Sequence, residues 1–460
     1  MEVQDKLSYN AIINVLRKNK LLLSLNGSRQ KTEEKFFHLT REDNKASQNS
    51  CFILYDSPYK KTELRLKDLL QSGTKLIIID NPDLEDKIPK SIQTILVSCS
   101  RKAWAWLMAH SYNNPQEKLK LIAITGTNGK TSTAWILTEV LKSLGHKTAY
   151  IGTLGSSLTP KEPVTHTTPD PDKLFLQLAK AHKESYEYVV IEASSHAINQ
   201  SKLDPIKFSA AAFTSFSRDH LDYHQTLEDY FATKLSLFEK GLKQNATVFF
   251  QKKIEQRLNK KQKETIMPKY YSGGNKSDDT EGCLFFKQKS LGINASEINF
   301  FLREKQYKEK IPFLGQHNCE NFFVSILIAE SLTKKVKQKT WEKTAQIPGR
   351  LERVFFGTSD EPTIFIDYAH TPEALKQTLE VIKKHHCSGK IILVFGCGGE
   401  RDKGKRALMG TNAEALSDQI IITNDNPRSE NPKLIIEDIL KGIKAPEKTT
   451  TQPDRSKAIK

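Results

Sequence analysis

Unbroken apolar runs recur along the middle of the chain at Leu121–Ile124, Thr148–Gly152, Tyr188–Glu192, Ala210–Thr214 and Thr247–Phe250. Helical or loop stretches separate them. Buried strands alternating with helices predict a parallel sheet covered on both faces. After the first run, Ile136, Leu137, Val140, Leu141 and Leu144 recur at helical spacing, and Gly145 follows where a helix C-terminal cap belongs. From Cys283 to Leu314 apolar and charged residues alternate, which predicts hairpins, and Asn318 and Asn321 start a helix running to about Leu332. A boundary falls near Ile347-Pro348-Gly349. Beyond it the pattern predicts a second doubly wound unit: strands at Thr363–Asp367, Lys390–Phe395 and Gln419–Thr423, and helices from Pro372, after the glycine-rich turn, and from Pro432 to Lys441. The remainder, to Lys460, reads as a polar tail. The first 105 residues are the least regular. Strands at Cys51–Tyr55 and Leu76–Asp80, with a helical stretch around Lys67 to Ser72, suggest a small α/β domain. A helix over Ala103–Tyr112 leads onward.

A chain of 460 residues is too long for one ordinary core. Three α/β domains are expected, at residues 1–105, 106–346 and 347–460. No apolar run is long enough to span a bilayer, and Met1 to Leu7 lacks the apolar core of a signal peptide. Six cysteines are scattered without close pairing, as in reduced proteins. A cytoplasmic protein without stable membrane insertion is therefore expected. The net charge of +16 comes mostly from lysines spread along the chain, with no interleaved aromatic stripe. That reads as solvated surface, or as a mild attraction for anionic substrates, rather than as a nucleic-acid face.

The chemistry begins at Gly126-Thr127-Asn128-Gly129-Lys130-Thr131-Ser132. Strand, glycine loop, Lys-Thr and helix is the order a phosphate cradle needs. The glycines let backbone N–H groups approach an anion, and the helix N-terminus and Lys130 add positive charge. The Thr131 or Ser132 hydroxyl can hold Mg²⁺. Ligand residues are then expected at the carboxyl ends of the neighbouring strands, where Glu192 with Ser194-Ser195-His196, and Arg218 to His224, fall.

Seven segments appear in order: Gly126-Thr-Asn-Gly-Lys-Thr131, Glu192-Ala-Ser-Ser-His196, Arg218-Asp-His-Leu-Asp-Tyr-His224, Pro348-Gly-Arg-Leu-Glu352, Asp367-Tyr-Ala-His370, Phe395 to Arg406, and Asp425-Asn-Pro-Arg428. Together they resemble the Mur ligases over roughly residues 120 to 440. The resemblance implies a domain for the UDP end of the substrate, a central P-loop-type parallel-sheet ATPase domain, and a C-terminal Rossmann-like doubly wound domain for the incoming amino acid. It further implies a monomer in which ATP phosphorylates a substrate carboxylate and an amine displaces the phosphate.

Residue by residue, the resemblance places Lys130, Glu192, His220 and Lys234 in catalysis. Thr131 or Ser132 and Glu192 would hold one Mg²⁺, and His220 with Lys234, as a carbamate, a second. Taken alone, Lys234 reads as a surface helix lysine, and His220 as either a core or a ligand histidine. Asn318, Asn321, Arg350, Asp367 and His370 match nucleotide contacts. By itself, Asp367 also reads as a solvated carboxylate at a strand end. Thr167, Thr168, Ser194, Gln200 and Lys202 match the grip on a UDP-N-acetylmuramoyl-L-Ala-D-Glu substrate. Arg401, Asp425, Asn426, Pro427 and Arg428 match the amino-acid pocket of members that add meso-diaminopimelate. An arginine there can pair bidentately with that amino acid's second carboxylate, and would repel the bare ammonium of lysine.

Four positions depart from the family pattern. The Gly-Lys-Gly-His-Glu stretch is not found before Lys460, so a shortened last domain, with the final strand and helix missing, is expected. In place of an Asp-Ser-Arg signature stands Leu39-Thr40-Arg41. Lys202 replaces an arginine and Ser215 an asparagine. The alternative expectation is a divergent or truncated relative that adds another amino acid, or that binds nucleotide or muropeptide without ligating.

Overall fold

A computed structural model describes residues 6–26, 36–55, 62–273, 283–291, 295–335, 346–354, 362–385 and 389–460. The chain forms two compact units. The first comprises Met1–Ile122, Lys147–Ser209 and Lys240–Gln244. The second comprises Ala123–His146, Ala210–Glu239 and Asn245–Lys460.

The first unit opens with a six-stranded sheet in the spatial order Lys6–Ser8, Phe36–Thr40, Ser50–Ile53, Leu76–Ile79, Gln93–Val97, Leu22–Asn26. The four inner strands run parallel and the two outer ones antiparallel. The expected strands at 51–55 and 76–80 are two of its centre strands, buried throughout. Phe52, Leu54, Ile77 and Ile79 pack there with Leu66 and Leu69 of the helix Thr62–Gln71. The helix expected from Ala103 spans Ser100–Ser111. The same unit holds the parallel strands Thr148–Gly152 and Tyr188–Glu192 and the helix Pro171–Lys183.

The strand Lys120–Thr125 enters the second unit at Ala123 and runs into the glycine loop and then the helix Lys130–Ser143. Gly145 follows that helix at φ +90°, the left-handed C-terminal position expected of it. Next come Phe208–Phe213, Leu242–Gln251 and Lys269–Gly273, followed by three antiparallel-coupled strands, Cys283–Ser290, Ser296–Leu302 and Lys305–Ile311. These are the hairpins the alternation predicted: Phe286, Ile298, Phe300 and Tyr307 face the core while the lysines between them face water. The helix Gln316–Thr333 is apolar enough to bury most of its length, and Ser325 Oγ donates to Thr133 O of the helix Lys130–Ser143 at 3.1 Å.

Beyond residue 346 an antiparallel ribbon joins Glu352–Val354 to Ile364–Ile366. A parallel sheet follows, ordered Ile392–Phe395, Gln419–Ile422, Thr449–Thr451. The helices Pro372–His385, Gly404–Leu416 and Pro432–Leu440 accompany it around Leu379, Met409, Ile420, Ile422 and Ile439. The polar-tail reading is corrected here. Thr449–Thr451 adds a third parallel strand, and Arg455–Ile459 is a helix capped by Asp454. Threonines make a strand without an apolar run when the sheet supplies the backbone partners. Among the described residues five cysteines are free, and no helix is long and apolar enough to cross a membrane.

Candidate active site

The glycine loop is built by close approach. Gly129 sits at φ +84°, and a Cβ there would lie 2.6 Å from Asn321 Oδ1. A Cβ on Gly126 would lie 2.1 Å from Thr214 Oγ1. Both positions therefore require glycine. The loop is latched from the strand end Thr214–Ser215. Thr214 Oγ1 donates to Asn128 O at 2.6 Å, and Asn128 N–H donates to Ser215 Oγ at 2.9 Å. Thr127 N–H donates to Ser215 O at 2.8 Å, and Ser217 N–H donates to Thr127 Oγ1 at 3.1 Å. Ser215 thus latches the loop despite standing in place of an asparagine.

Two amino groups converge on this loop. Lys130 Nζ donates to Gly126 O at 2.9 Å and to Thr127 O at 2.8 Å. Lys234 Nζ donates to the same Gly126 O at 2.9 Å and lies 4.7 Å from the Tyr230 ring centroid. The surface-lysine reading of Lys234 is corrected, since the residue is 1% exposed. Tyr230, Phe231, Lys234, Leu235, Leu237 and Phe238 form the buried face of the helix Leu227–Lys240. Burial, and then the charge of Lys130, push the Lys234 ammonium well below the usual lysine range, against the pull of Asp219.

Thr131 and Ser132 are buried in the first turn of the helix, where N–H groups point outward. Arg350 Nη2 donates to Thr131 Oγ1 at 3.1 Å, and its guanidinium lies 4.5 Å from the Tyr368 ring centroid. Asp367 is not a free strand-end carboxylate. It accepts Leu351 N–H at 2.7 Å and Ala369 N–H at 2.9 Å, tying the Arg350 turn to the His370 turn. Asn318 and Asn321 are both buried, with Asn318 Nδ2 donating to Leu314 O at 3.0 Å. Thr133 Oγ1 donates to Asn321 Oδ1 at 3.2 Å.

His220, at φ 55°, begins the short helix Leu221–His224. Its neighbour Asp219 is the electrostatic centre of this side. Asp219 lies 3.4 Å from His220 Nε2, 3.5 Å from His370 Nε2 and 3.3 Å from Lys405 Nζ. Burial would raise this carboxyl, but the hydrogen bond from His370 and the charges of His220, Lys405 and His370 hold it well below the usual range. Arg218 forks onto Asp402 at 3.0 and 3.2 Å.

The candidate amino-acid residues occupy two adjoining turns of the same unit. Arg401 Nη1 lies 3.7 Å from Asp222, and Asp425 lies 3.9 Å from Arg455. Gly399 N–H donates to Asn426 O at 2.8 Å, and Arg428, at φ 52°, donates through Nη1 to Gly399 O. Pro427 carries the turn between them.

The remaining candidates belong to the first unit. Glu192 is fully buried at the end of its strand. Its Oε1 accepts Tyr150 O–H and, at 2.9 Å, Thr153 N–H, while Oε2 accepts Thr153 O–H at 3.1 Å. Thr168 O–H donates to Glu192 O at 2.6 Å, and Ser194 caps the helix Ser195–Asn199. Thr167 Oγ1 lies 3.2 Å from Thr153 Oγ1, and Gln200 is the C-cap of that helix. Lys202, in place of an arginine, is held 2.6 Å from Asp170, which also pairs with Arg41. The sequence reading did not select Thr214, Asp219, Tyr230, Tyr368, Asp170 or Lys405. Asp219, Tyr368 and Lys405 lay inside quoted segments, and Tyr230 stands one helical turn before Lys234.

Comparison with known proteins bears on this arrangement. Residues 124–329 match the Mur ligase middle domain, and residues 349–460 match the family described as Mur ligase, glutamate ligase domain. The chain is 39% identical over 368 residues to a UDP-N-acetylmuramoyl-L-alanyl-D-glutamate--2,6-diaminopimelate ligase of Prochlorococcus marinus subsp. pastoris, covering 77% of this chain and 71% of the relative. The protein of the same description from Clostridium botulinum is 34% identical over 436 residues, covering 92% and 87%. A solved structure titled for that same ligase superposes with a TM-score of 0.64 at 28% identity, covering 94% of this chain and 88% of its own. With both family models matched and relatives above 30% identity covered over more than two thirds of their length, the chain belongs to the Mur ligase family.

Proposed function

We propose that the chain is the ATP-dependent ligase that adds meso-2,6-diaminopimelate to the D-glutamate carboxylate of UDP-N-acetylmuramoyl-L-alanyl-D-glutamate, a step of peptidoglycan precursor synthesis. The observation that carries the reading is the convergence of Lys130 and Lys234 on the Gly126 carbonyl, within the unit that also holds the Arg401 and Asp425–Arg428 turns. A carboxylate attacking a triphosphate is an anion meeting an anion, so cationic groups must lower the repulsion. Lys130 and the helix N-terminus do so for the phosphates, and Arg350 adds a guanidinium beside Thr131. The acyl phosphate formed with release of ADP is then attacked by the amine of diaminopimelate, and phosphate leaves as the amide closes.

Among the described residues no group of three His, Cys, Asp or Glu side chains forms a closed metal cage. Buried hydroxyls beside a phosphate loop suit Mg²⁺, which keeps water and phosphate oxygens among its ligands. Thr131 and Ser132, and His220 with Lys234, are the residues of the second unit that would hold it, Glu192 being added by the family resemblance alone, and it would supply charge neutralisation on the phosphates. A bare ammonium at Lys234 opposes a cation, whereas a carbamate offers it oxygens. Burial that favours the neutral amine also favours its reaction with CO₂. Thr167, Thr168, Ser194, Gln200 and Lys202 are assigned to the UDP substrate, and Asn318, Arg350, Asp367 and His370 to the nucleotide. Domains at residues 1–105, 106–346 and 347–460, a monomeric state and a cytoplasmic location belong to the same reading.

The test is release of ADP and phosphate by the purified chain with ATP, Mg²⁺ and UDP-N-acetylmuramoyl-L-Ala-D-Glu, offered meso-diaminopimelate or L-lysine. A tripeptide product with the first and none with the second supports the reading. ATP binding without product from either refutes it.

A further inference from the structure

A buried guanidinium lies behind the two turns of the amino-acid pocket. Arg406 is 0% exposed. Its Nη1 and Nη2 fork onto Glu430 Oε1 and Oε2 at 2.8 and 2.7 Å. Nη1 also reaches Asp438 at 3.0 Å, and Nη2 lies 3.4 Å from Gly398 O. A buried guanidinium needs such partners, and an apolar residue of similar volume would anchor the helix Gly404–Leu416 as well. What an apolar residue could not do is pass the anchoring on. Glu430 Oε2 accepts the backbone N–H of Glu400 at 3.0 Å, beside Arg401, and Glu430 N–H donates to Pro427 O at 3.0 Å, beside Arg428. The turns meet backbone to backbone, since a Cβ on Gly399 would lie 2.0 Å from Pro427 O. One residue therefore joins all three: the Glu430 carboxylate ties the helix to the turn bearing Arg401, and its backbone N–H ties both to the turn bearing Asn426 and Arg428.

We propose that Glu430 is a positioning residue for the amino-acid substrate. It sets the separation between Arg401 on one turn and Asn426 and Arg428 on the other, so that an amino acid with two separated ionic ends is gripped at both. Glu430 itself touches no substrate, and Arg406 acts through it. Held by Arg406, the carboxylate presents a fixed acceptor to the Glu400 N–H. The proposal rests on the function proposed above for the identity of the amino acid.

The test uses the full chain carrying Glu430→Gln or Glu430→Asp. In both variants Asp438 keeps Arg406 paired, which favours folding. Aspartate also keeps the charge, but is one methylene too short to hold Arg406 and the Glu400 N–H together. KM is measured separately for meso-diaminopimelate and for ATP, alongside thermal melting. The expected result is a KM for the amino acid raised about tenfold in both variants, with the KM for ATP within about twofold of wild type. A folded Glu430→Asp enzyme whose amino-acid KM stays within about twofold of wild type overturns the proposal, whatever its melting temperature. Wild-type turnover is measured first. If the wild type ligates a different amino acid, the functional reading falls, while the same comparison made with that amino acid still judges Glu430. A wild type that ligates none overturns both.

Discussion

Replacing Lys234 by methionine removes an amino group from a fully buried position and leaves an unbranched side chain of similar reach. In the folded chain, burial and then Lys130 lower the proton affinity of this amine well below the ordinary lysine range, while the unfolded chain keeps the ordinary value near 10.5. Between the lowered folded value and 10.5 the unfolded state binds the extra proton, so stability rises with pH through that window. The slope for one such group is about 1.4 kcal/mol per pH unit. Near pH 7.5, about three units below the ordinary value, the deprotonation cost reaches about 4 kcal/mol at most. The bond from Nζ to Gly126 O, at 2.9 Å, offsets about 1 kcal/mol of it. Lys234→Met is therefore expected to be more stable than wild type by up to about 3 kcal/mol near neutral pH, or roughly 6–12 °C for a unit of this size. Ligation is expected to be lost.

The assay is thermal melting of both proteins from pH 7 to 10 in bicarbonate-free buffer. The wild-type curve should climb by several degrees per unit, while the variant lacks that rise, so that the gap between them closes toward pH 10. Parallel curves would refute the reasoning, because they would mean that Lys234 releases no proton on folding. Added bicarbonate should then stabilise the wild type and leave the variant unchanged, the signature of a carbamate at this amine.

Gly129→Ala places a Cβ at φ +84° and 2.6 Å from Asn321 Oδ1, so it should cost at least ~1–2 kcal/mol in backbone strain and raise the KM for ATP about tenfold or more. Unchanged ATP kinetics would remove the loop from the nucleotide site. Arg428→Ala should lower kcat/KM for meso-diaminopimelate about 10- to 100-fold while leaving lysine a poor substrate, and equal loss with both amino acids would argue against carboxylate pairing there. The Glu430 carboxyl is held at about 2, below its ordinary 4.5, chiefly by Arg406. Its stabilising effect is complete above about pH 4.5 and is lost as pH falls toward 2, so Glu430→Gln should flatten that part of the acid melting profile.

Local pattern revealed the elements whose signal is local. The strand, glycine loop and helix around Lys130 were legible because an uninterrupted apolar run, two glycines and a helical repeat follow one another within about two dozen residues. The outer strands Lys6–Ser8 and Leu22–Asn26 were not, because short half-exposed strands at a sheet edge carry no continuous apolar run. Thr449–Thr451 was invisible for a related reason: its pairing with Ile420–Ile422 is its strand signal. Lys234 is a subtler case. Its spacing from Tyr230, Leu237 and Phe238 marks a buried position, and only the residue type argued for the surface. When period and polarity disagree on a helix face, the disagreement itself points to chemistry, since a lysine is retained there only against its desolvation cost.

The departures from the family pattern follow the same logic in reverse. Ser215 still latches Asn128, through a shorter side chain that accepts its N–H. Lys202 lacks an arginine's fork, yet Asp170 holds it at 2.6 Å and draws Arg41 to the same carboxylate. Arg41 lies within Leu39-Thr40-Arg41, the stretch that stands in place of the family's signature. Asp170 gave no sign of this role in the sequence, because its partners stand 129 residues before it and 32 residues after it (170 − 41 and 202 − 170). A substitution judged by residue type alone counts as a loss, whereas judged by what its neighbours now hold in place it can preserve charge at a defined point. Here two departures from the pattern share one carboxylate, and an account of either that leaves out Asp170 would misjudge both.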